Sequence, residues 1–321
     1  MLDLALYDRV HLSARPPVQR FIAEAFLRFD YQKVDLVVEG LDNLPGRPVL
    51  FAMNHTDNYN YWPFQYSLHK EGAYTATWVK GKNYENPFIS ALMCWTNNLP
   101  IASRGYVITR DFLNVTGRRP EPAEYRAFRD AADTLGDVDP ASVPHAVLAQ
   151  GRDMLGRRFD PDEEKYTEAL DALMRLLMGR FVDLNERAFG LGTHILTFPQ
   201  GTRSVRLSRG HPGLAQMALH LKAPIVPVGC NGCDLVYTGR SIRTQPGRIV
   251  YRIGKPMTDW GELAPGEPFE PFSREAEAKH RHRFQTIVDR VMHAIDGLLD
   301  ERHKFSDDQR SDGTDGTDRF V

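Results

Sequence analysis

Seven short apolar runs, set apart by polar turns, constrain this chain more than any other feature. They are Val34 to Val38, Val49 to Met53, Tyr74 to Val79, Leu99 to Ser103, His194 to Phe198, Pro224 to Val228 and Arg248 to Ile253. Runs of this length, many rich in valine and isoleucine, read as strands. Helical stretches lie among them: Tyr61 to Lys70, with Pro63 tolerated in its first turn, then Asn86 to Trp95 and Gly213 to Leu221. Alternation of this kind predicts an α/β fold.

The rhythm breaks between about residues 105 and 190. Pro120, Pro122, Pro140 and Pro144 punctuate a charged, strand-poor stretch, which ends in a helix with Leu170, Leu173, Leu177, Phe181 and Leu184 on one face. The stretch reads as a large helical insertion. A second long amphipathic helix carries Phe284, Ile287, Val291, Ile295 and Leu298, its polar side opening with the charge run Lys279 to Arg283.

At the start, Val18, Phe21, Ile22, Ala25, Phe26 and Phe29 repeat at helical spacing, flanked by Arg9, Arg15, Arg20 and Arg28. Core packing and a helix lying on anionic lipid both fit that pattern. The expected organisation is an N-terminal helical segment over 1–33, a main domain over 34–302 and a polar tail over 303–321 without fixed structure.

Composition narrows the partners. Against 42 acidic residues stand 40 basic ones, a net charge of −2, so no global field recruits nucleic acid and any anion site must be local. Three cysteines make no disulfide framework, and a cytoplasmic location is expected. Met1 to Arg9 carries an early acid, Asp3, and lacks the basic-then-apolar order of a signal peptide, and no run approaches the roughly 20 apolar residues of a spanning helix. Peripheral contact with the inner face of a membrane stays open. Asn54 and Asn114 head Asn-x-Thr triplets that matter only in a secretory setting.

Two stretches carry chemistry. Asn54-His55-Thr56-Asp57-Asn58-Tyr59-Asn60 leaves an apolar strand, where α/β folds gather reactive groups. A residue five positions beyond His55 can fold back onto the imidazole, and that residue is Asn60. Phe198-Pro199-Gln200-Gly201-Thr202-Arg203-Ser204 also follows a strand. Its glycine allows close backbone approach, its hydroxyls donate, and its guanidinium grips phosphate oxygens in pairs.

Together these stretches resemble the glycerol-phosphate and lysophosphatidate acyltransferase family. Its Asn-His-x4-Asp motif is matched by Asn54 to Asn60, and its Phe-Pro-Glu-Gly-Thr-Arg-Ser motif by Phe198 to Ser204. Two further motifs, apolar strands, look like Asn98 to Arg104 and Pro224 to Val228, in the same chain order. The resemblance covers roughly residues 34–104 and 190–255. It implies a glycerolipid acyltransferase-like mixed sheet and transfer of a fatty acyl group to a hydroxyl of a glycerol phosphate or lysophospholipid. The donor would be acyl-CoA or acyl carrier protein, a co-substrate, with no cofactor or metal. His55 would be the general base. Arg203 and Arg104, with Lys80 or Lys82, would hold phosphate, and Gln200, Gly201, Thr202 and Ser204 would complete the cradle.

The chain departs from the pattern twice. Asn60 stands where the family has Asp, and Gln200 where it has Glu, each change removing charge while keeping shape. The partner of His55 is left open between Asn60 and Asp57, whose other role is to stabilise the turn. A fold that binds lipid, thioester or a partner protein without turnover is the alternative, as is an acyltransferase for another acceptor. Cys230-Asn231-Gly232-Cys233 has half a metal or redox spacing without a second pair.

Overall fold

The computed structural model describes residues 1–239 and 241–306. Among these, nine strands form: β1 (Val34–Glu39), β2 (Leu50–Met53), β3 (Thr75–Lys80), β4 (Asn98–Ile101), β5 (Arg152–Met154), β6 (Arg157–Phe159), β7 (His194–Thr197), β8 (Ile225–Asn231) and β9 (Gly247–Ile253). Seven of them make one sheet in the order β1-β9-β8-β2-β7-β3-β4, while β5 and β6 pair separately as an antiparallel hairpin. From β8 to β4 the strands run parallel, and β9 and β1 run against them at one edge. The fold is mixed α/β, as the alternation of the sequence requires.

Both faces of the sheet are covered, which is why its strands read as unbroken apolar runs. Leu50 of β2 is in register with Ile195 of β7 and Ile225 of β8, and all three point into one core. Their neighbours Phe51, Leu196 and Val226 point into the other. Every one of these six side chains is fully buried.

The N-terminal segment forms α1 (Leu4–Asp8), α2 (Pro17–Ile22) and α3 (Arg28–Asp30), the last two joined by a π-helical turn at Ala23–Leu27. Wider π turns carry successive residues past the 3.6 period, so the apolar face expected over 18–29 divides. Ile22 and Phe26 of that face are partly buried, Phe21 and Phe29 are exposed, and the residues buried in the core are Ala23 and Leu27, which lie off it. Residues 2–10 join the opposite core, with Leu2, Leu6 and Val10 buried and the Leu4 amide donating to the Leu155 carbonyl at 3.0 Å.

After β2 comes α4 (Trp62–Lys70), and after β3 comes α5 (Pro87–Cys94), whose N-cap Asn86 accepts from the amides of Phe88 and Ile89. The insertion supplies α6 (Arg104–Thr116), α7 (Pro122–Thr134), α8 (His145–Ala149), the β5–β6 hairpin and α9 (Tyr166–Gly190). It is no appendage. Buried Leu173, Leu177, Phe181 and Leu184 of α9 lie in the same core as Leu50 and Ile195, and Asn185 accepts from the Trp78 indole at 2.7 Å. The chain then forms α10 (Gly213–His220), α11 (Cys233–Val236) and α12 (Arg274–Asp296).

Beyond α12 the chain stays packed for several residues. His303 is buried and Phe305 bridges to Leu207, so the segment expected to lack structure from 303 begins with ordered residues. The rest of that tail, 307–321, lies outside the described residues. No helix among the described residues is long and apolar enough to cross a membrane.

Candidate active site

Parallel strands put their C-terminal ends on one edge, and β2 and β7 are neighbours there. The loops leaving them, 54–61 and 198–208, therefore meet. Their backbones are clipped together at His55, whose amide donates to Gln200 Oε1 at 3.0 Å and whose carbonyl accepts from the Ser204 amide at 2.8 Å. Asn54 fixes the other side: its side chain donates to the Cys230 carbonyl at 2.9 Å and accepts from the Cys230 amide at 2.7 Å, as an added rung between β2 and β8. Held on both flanks, His55 has little freedom.

The imidazole stacks on Phe198, with ring centroids 4.1 Å apart and planes 20° from parallel. Its Nδ1 lies 3.0 Å from Asn60 Oδ1. The Asn60 amide can face only one way, because its nitrogen donates to the Asn54 carbonyl at 2.8 Å. An oxygen is thus turned toward the ring, Nδ1 carries the hydrogen and donates to it, and Nε2 keeps its lone pair. Asn60 is fully buried, and its own carbonyl accepts from the Tyr251 hydroxyl at 2.5 Å.

Asp57 does not reach the imidazole. Its carboxylate accepts from the Tyr59 amide and the Thr56 hydroxyl, both at 2.8 Å, and also meets the Cys233 thiol. This is turn chemistry. Burial raises the Asp57 pKa, with Asp234 adding to the effect. Cys230 and Cys233 are buried free thiols, and burial pushes Cys233 well above the usual thiol range, so they form no exposed redox pair.

Two cations act on the ring. Arg203 donates from Nη1 to Asn58 Oδ1, tying the second motif to the first. Lys80 ends β3, one strand beyond β7, and the charges of both cations bear on His55. Burial is the largest influence on His55 and lowers its pKa to about 3; Asn60 opposes the fall, and Arg203 and Lys80 add to it. The ring is neutral throughout the physiological range. Gly201 adopts a left-handed φ of +68°, and a Cβ there would come within 2.8 Å of the His211 ring. Thr202 is half-buried and Ser204 buried beside it.

Arg104 and Gln200 sit differently. Arg104 opens α6 and forms an ion pair with Asp133 of α7. Gln200 is buried, and while its oxygen holds the His55 amide, its nitrogen donates to Ser208 Oγ at 3.0 Å and lies 3.4 Å from the Arg206 carbonyl. It braces the loop from within. His303, which carries no motif, is a further brace: Nδ1 donates to the Val205 carbonyl at 2.9 Å and Nε2 accepts from the Gly232 amide at 3.2 Å. No group of His, Cys, Asp and Glu among the described residues is arranged to hold a metal ion.

No family model matches the sequence, and no curated protein matches it. Among solved structures, the crystal structure of the 1-acyl-sn-glycerophosphate (LPA) acyltransferase PlsC from Thermotoga maritima is similar over 86% of this chain and 81% of that one, at 15% identity and a TM-score of 0.40. Likeness at that level carries no argument about chemistry.

Proposed function

We propose that this chain is an O-acyltransferase in which His55 is the general base and Arg203 the anchor of a phosphate-bearing acceptor. The observation that carries the reading is the locked Asn60 amide, which fixes the hydrogen on His55 Nδ1 and leaves the lone pair on Nε2, while the charges of Arg203 and Lys80 act on the ring. A neutral imidazole of that tautomer is ready to take a proton, and an anionic acceptor is drawn to its side.

The reaction follows from those parts. As the acceptor hydroxyl oxygen bonds to the thioester carbonyl carbon, its proton passes to His55 Nε2. Collapse of the tetrahedral adduct breaks the carbon–sulfur bond, and the imidazolium returns the proton to the departing thiolate. An ester and a free thiol result. A phosphate between Arg203 and Lys80 offsets the two charges that weaken His55 as a base, so acceptor binding strengthens it. Gly201, Thr202 and Ser204 line the same loop, a setting for further phosphate contacts. The acceptor class is a glycerol phosphate or a lysophospholipid, and the donor acyl-CoA or acyl carrier protein.

Thiol release from long-chain acyl-CoA, measured with glycerol 3-phosphate and with lysophosphatidate, tests the reading. His55→Ala is expected to lower the rate by about 10²- to 10⁴-fold. Equal turnover by the two proteins would sink it. One observation favours a second reading, a binder without turnover: Asn60 is neutral and gives an imidazolium no counter-charge. Acyl-CoA binding by wild type with no acceptor-dependent thiol release would select that reading.

A further inference from the structure

Surface helices normally turn their polar side to water. The helix α5 does the reverse. From Asn86 to Asn98 there is no charged residue, and the outward half of the helix is Pro87, Phe88, Ile89, Ala91, Leu92 and Trp95, while Ser90 and Cys94 face inward. Phe88 is 87% exposed, and Ile89, Leu92 and Trp95 between 46% and 49%.

The rim is basic. The N-terminal segment runs against the end of α5, where the His11 amide donates to the Cys94 carbonyl at 2.8 Å and Asn97 exchanges hydrogen bonds with the Ser13 backbone. The imidazole of His11 stacks on Trp95 at 3.8 Å, and Arg9 and Arg15 on the same segment are exposed. Nearby acids are engaged elsewhere, Asp8 with Arg180 at 3.5 Å and Glu85 with Arg110 at 3.2 Å. The four exposed side chains offer roughly 400–500 Å², about half of the ~800 Å² that each partner gives to a stable dimer. A second copy of the chain would be held poorly by so small a face.

We propose that α5 seats this chain on an anionic phospholipid surface, with Phe88, Ile89, Leu92 and Trp95 entering the acyl boundary and Arg9 and Arg15 lying against headgroups. Apolar insertion and electrostatic attraction are the two contributions an interfacial helix combines, and this face has both. The assignment stands apart from the chemistry at His55, because it is read from binding and needs no turnover.

The test is flotation of the full chain with vesicles of phosphatidylcholine, alone or with about 30 mol% phosphatidylglycerol. Wild type is expected to float with the anionic vesicles and to release as salt screens the rim. Phe88→Ser with Leu92→Ser should lower partitioning at least ~10-fold, and Arg9→Ser with Arg15→Ser should abolish the preference for anionic lipid. No binding by wild type, equal binding by the apolar double variant, or a solution dimer that this variant dissociates would each overturn the proposal. Should the serine variant lose its melting transition, quenching by brominated lipid replaces it. Quenching must then fall in Trp95→Phe, and unchanged quenching refutes the seat.

Discussion

At the scale of single residues, Asn60 and Gln200 suit their surroundings as amides. Asn60 and Gln200 each present an oxygen to His55, one to the ring and one to the backbone amide, and each turns its nitrogen toward a carbonyl, of Asn54 and Arg206. A carboxylate would set a second oxygen against that carbonyl in a buried place. Gln200→Glu is therefore expected to cost about 1–3 kcal/mol of stability and to leave turnover no higher, which urea melts and thiol release will check. Asn60→Asp should cost a similar amount at neutral pH, yet change catalysis differently. A carboxylate beside Nδ1 favours the imidazolium, so the acid limb of kcat/KM should move up toward pH ~6.5 from far below it. An acid limb that stays in place would show that Asn60 does not govern His55. The pairing at spacing five was legible in the sequence. The choice of Asn60 over Asp57 was not, because turn geometry directs the Asp57 carboxylate to Tyr59, Thr56 and Cys233.

Among elements, the insertion shows how pattern and packing part company. Its terminal helix was plain from periodicity, but the β5–β6 hairpin was hidden in a charged stretch of three-residue strands. Arg152 of that hairpin holds Asp111 of α6 through two hydrogen bonds of 2.9 and 2.6 Å, with only 1% of the Asp111 side chain exposed. Phe159 and Tyr166 pack beneath the guanidinium. Breaking one side of such a buried pair strands the other charge, so Asp111→Ala should destabilise by about 3–5 kcal/mol. A urea midpoint unchanged from wild type would show that the hairpin does not depend on the pair. The N-terminal helix illustrates the converse. Its apolar spacing predicts one face through Val18, Phe21, Ile22, Ala25, Phe26 and Phe29, but the π turn at Ala23–Leu27 buries Ala23 and Leu27 instead, and no period of 3.6 anticipates it.

For the molecule as a whole, histidines link folding to acid. His55 and His194 have pKa values lowered to about 3 and about 4, with burial the first cause in both. In the unfolded chain they take protons below pH ~6.5 while the folded chain refuses them, so stability is intact above that pH and falls beneath it. Each contributes up to about 1.4 kcal/mol per pH unit over that window. Urea melts at pH ~7.5 and ~5.5 should show the loss, and His194→Gln should reduce the slope. A slope unaltered by that substitution would assign the acid sensitivity elsewhere.

By itself the sequence determined the α/β class, the order of the strands along the chain and the two polar loops that carry His55 and Arg203. These follow from local pattern: apolar runs make strands, and small polar residues at strand ends make loops. Tertiary structure alone decided that β7 returns between β2 and β3, which is what brings residues 145 positions apart into hydrogen bonds at His55. It decided that Gln200 and His303 brace the loop, since Gln200 reaches the distant His55 amide and His303 the distant backbone of Val205 and Gly232. It also decided that α5 faces outward. An apolar helix reads the same in sequence whether it is packed or exposed, and only its place in the fold tells the two apart.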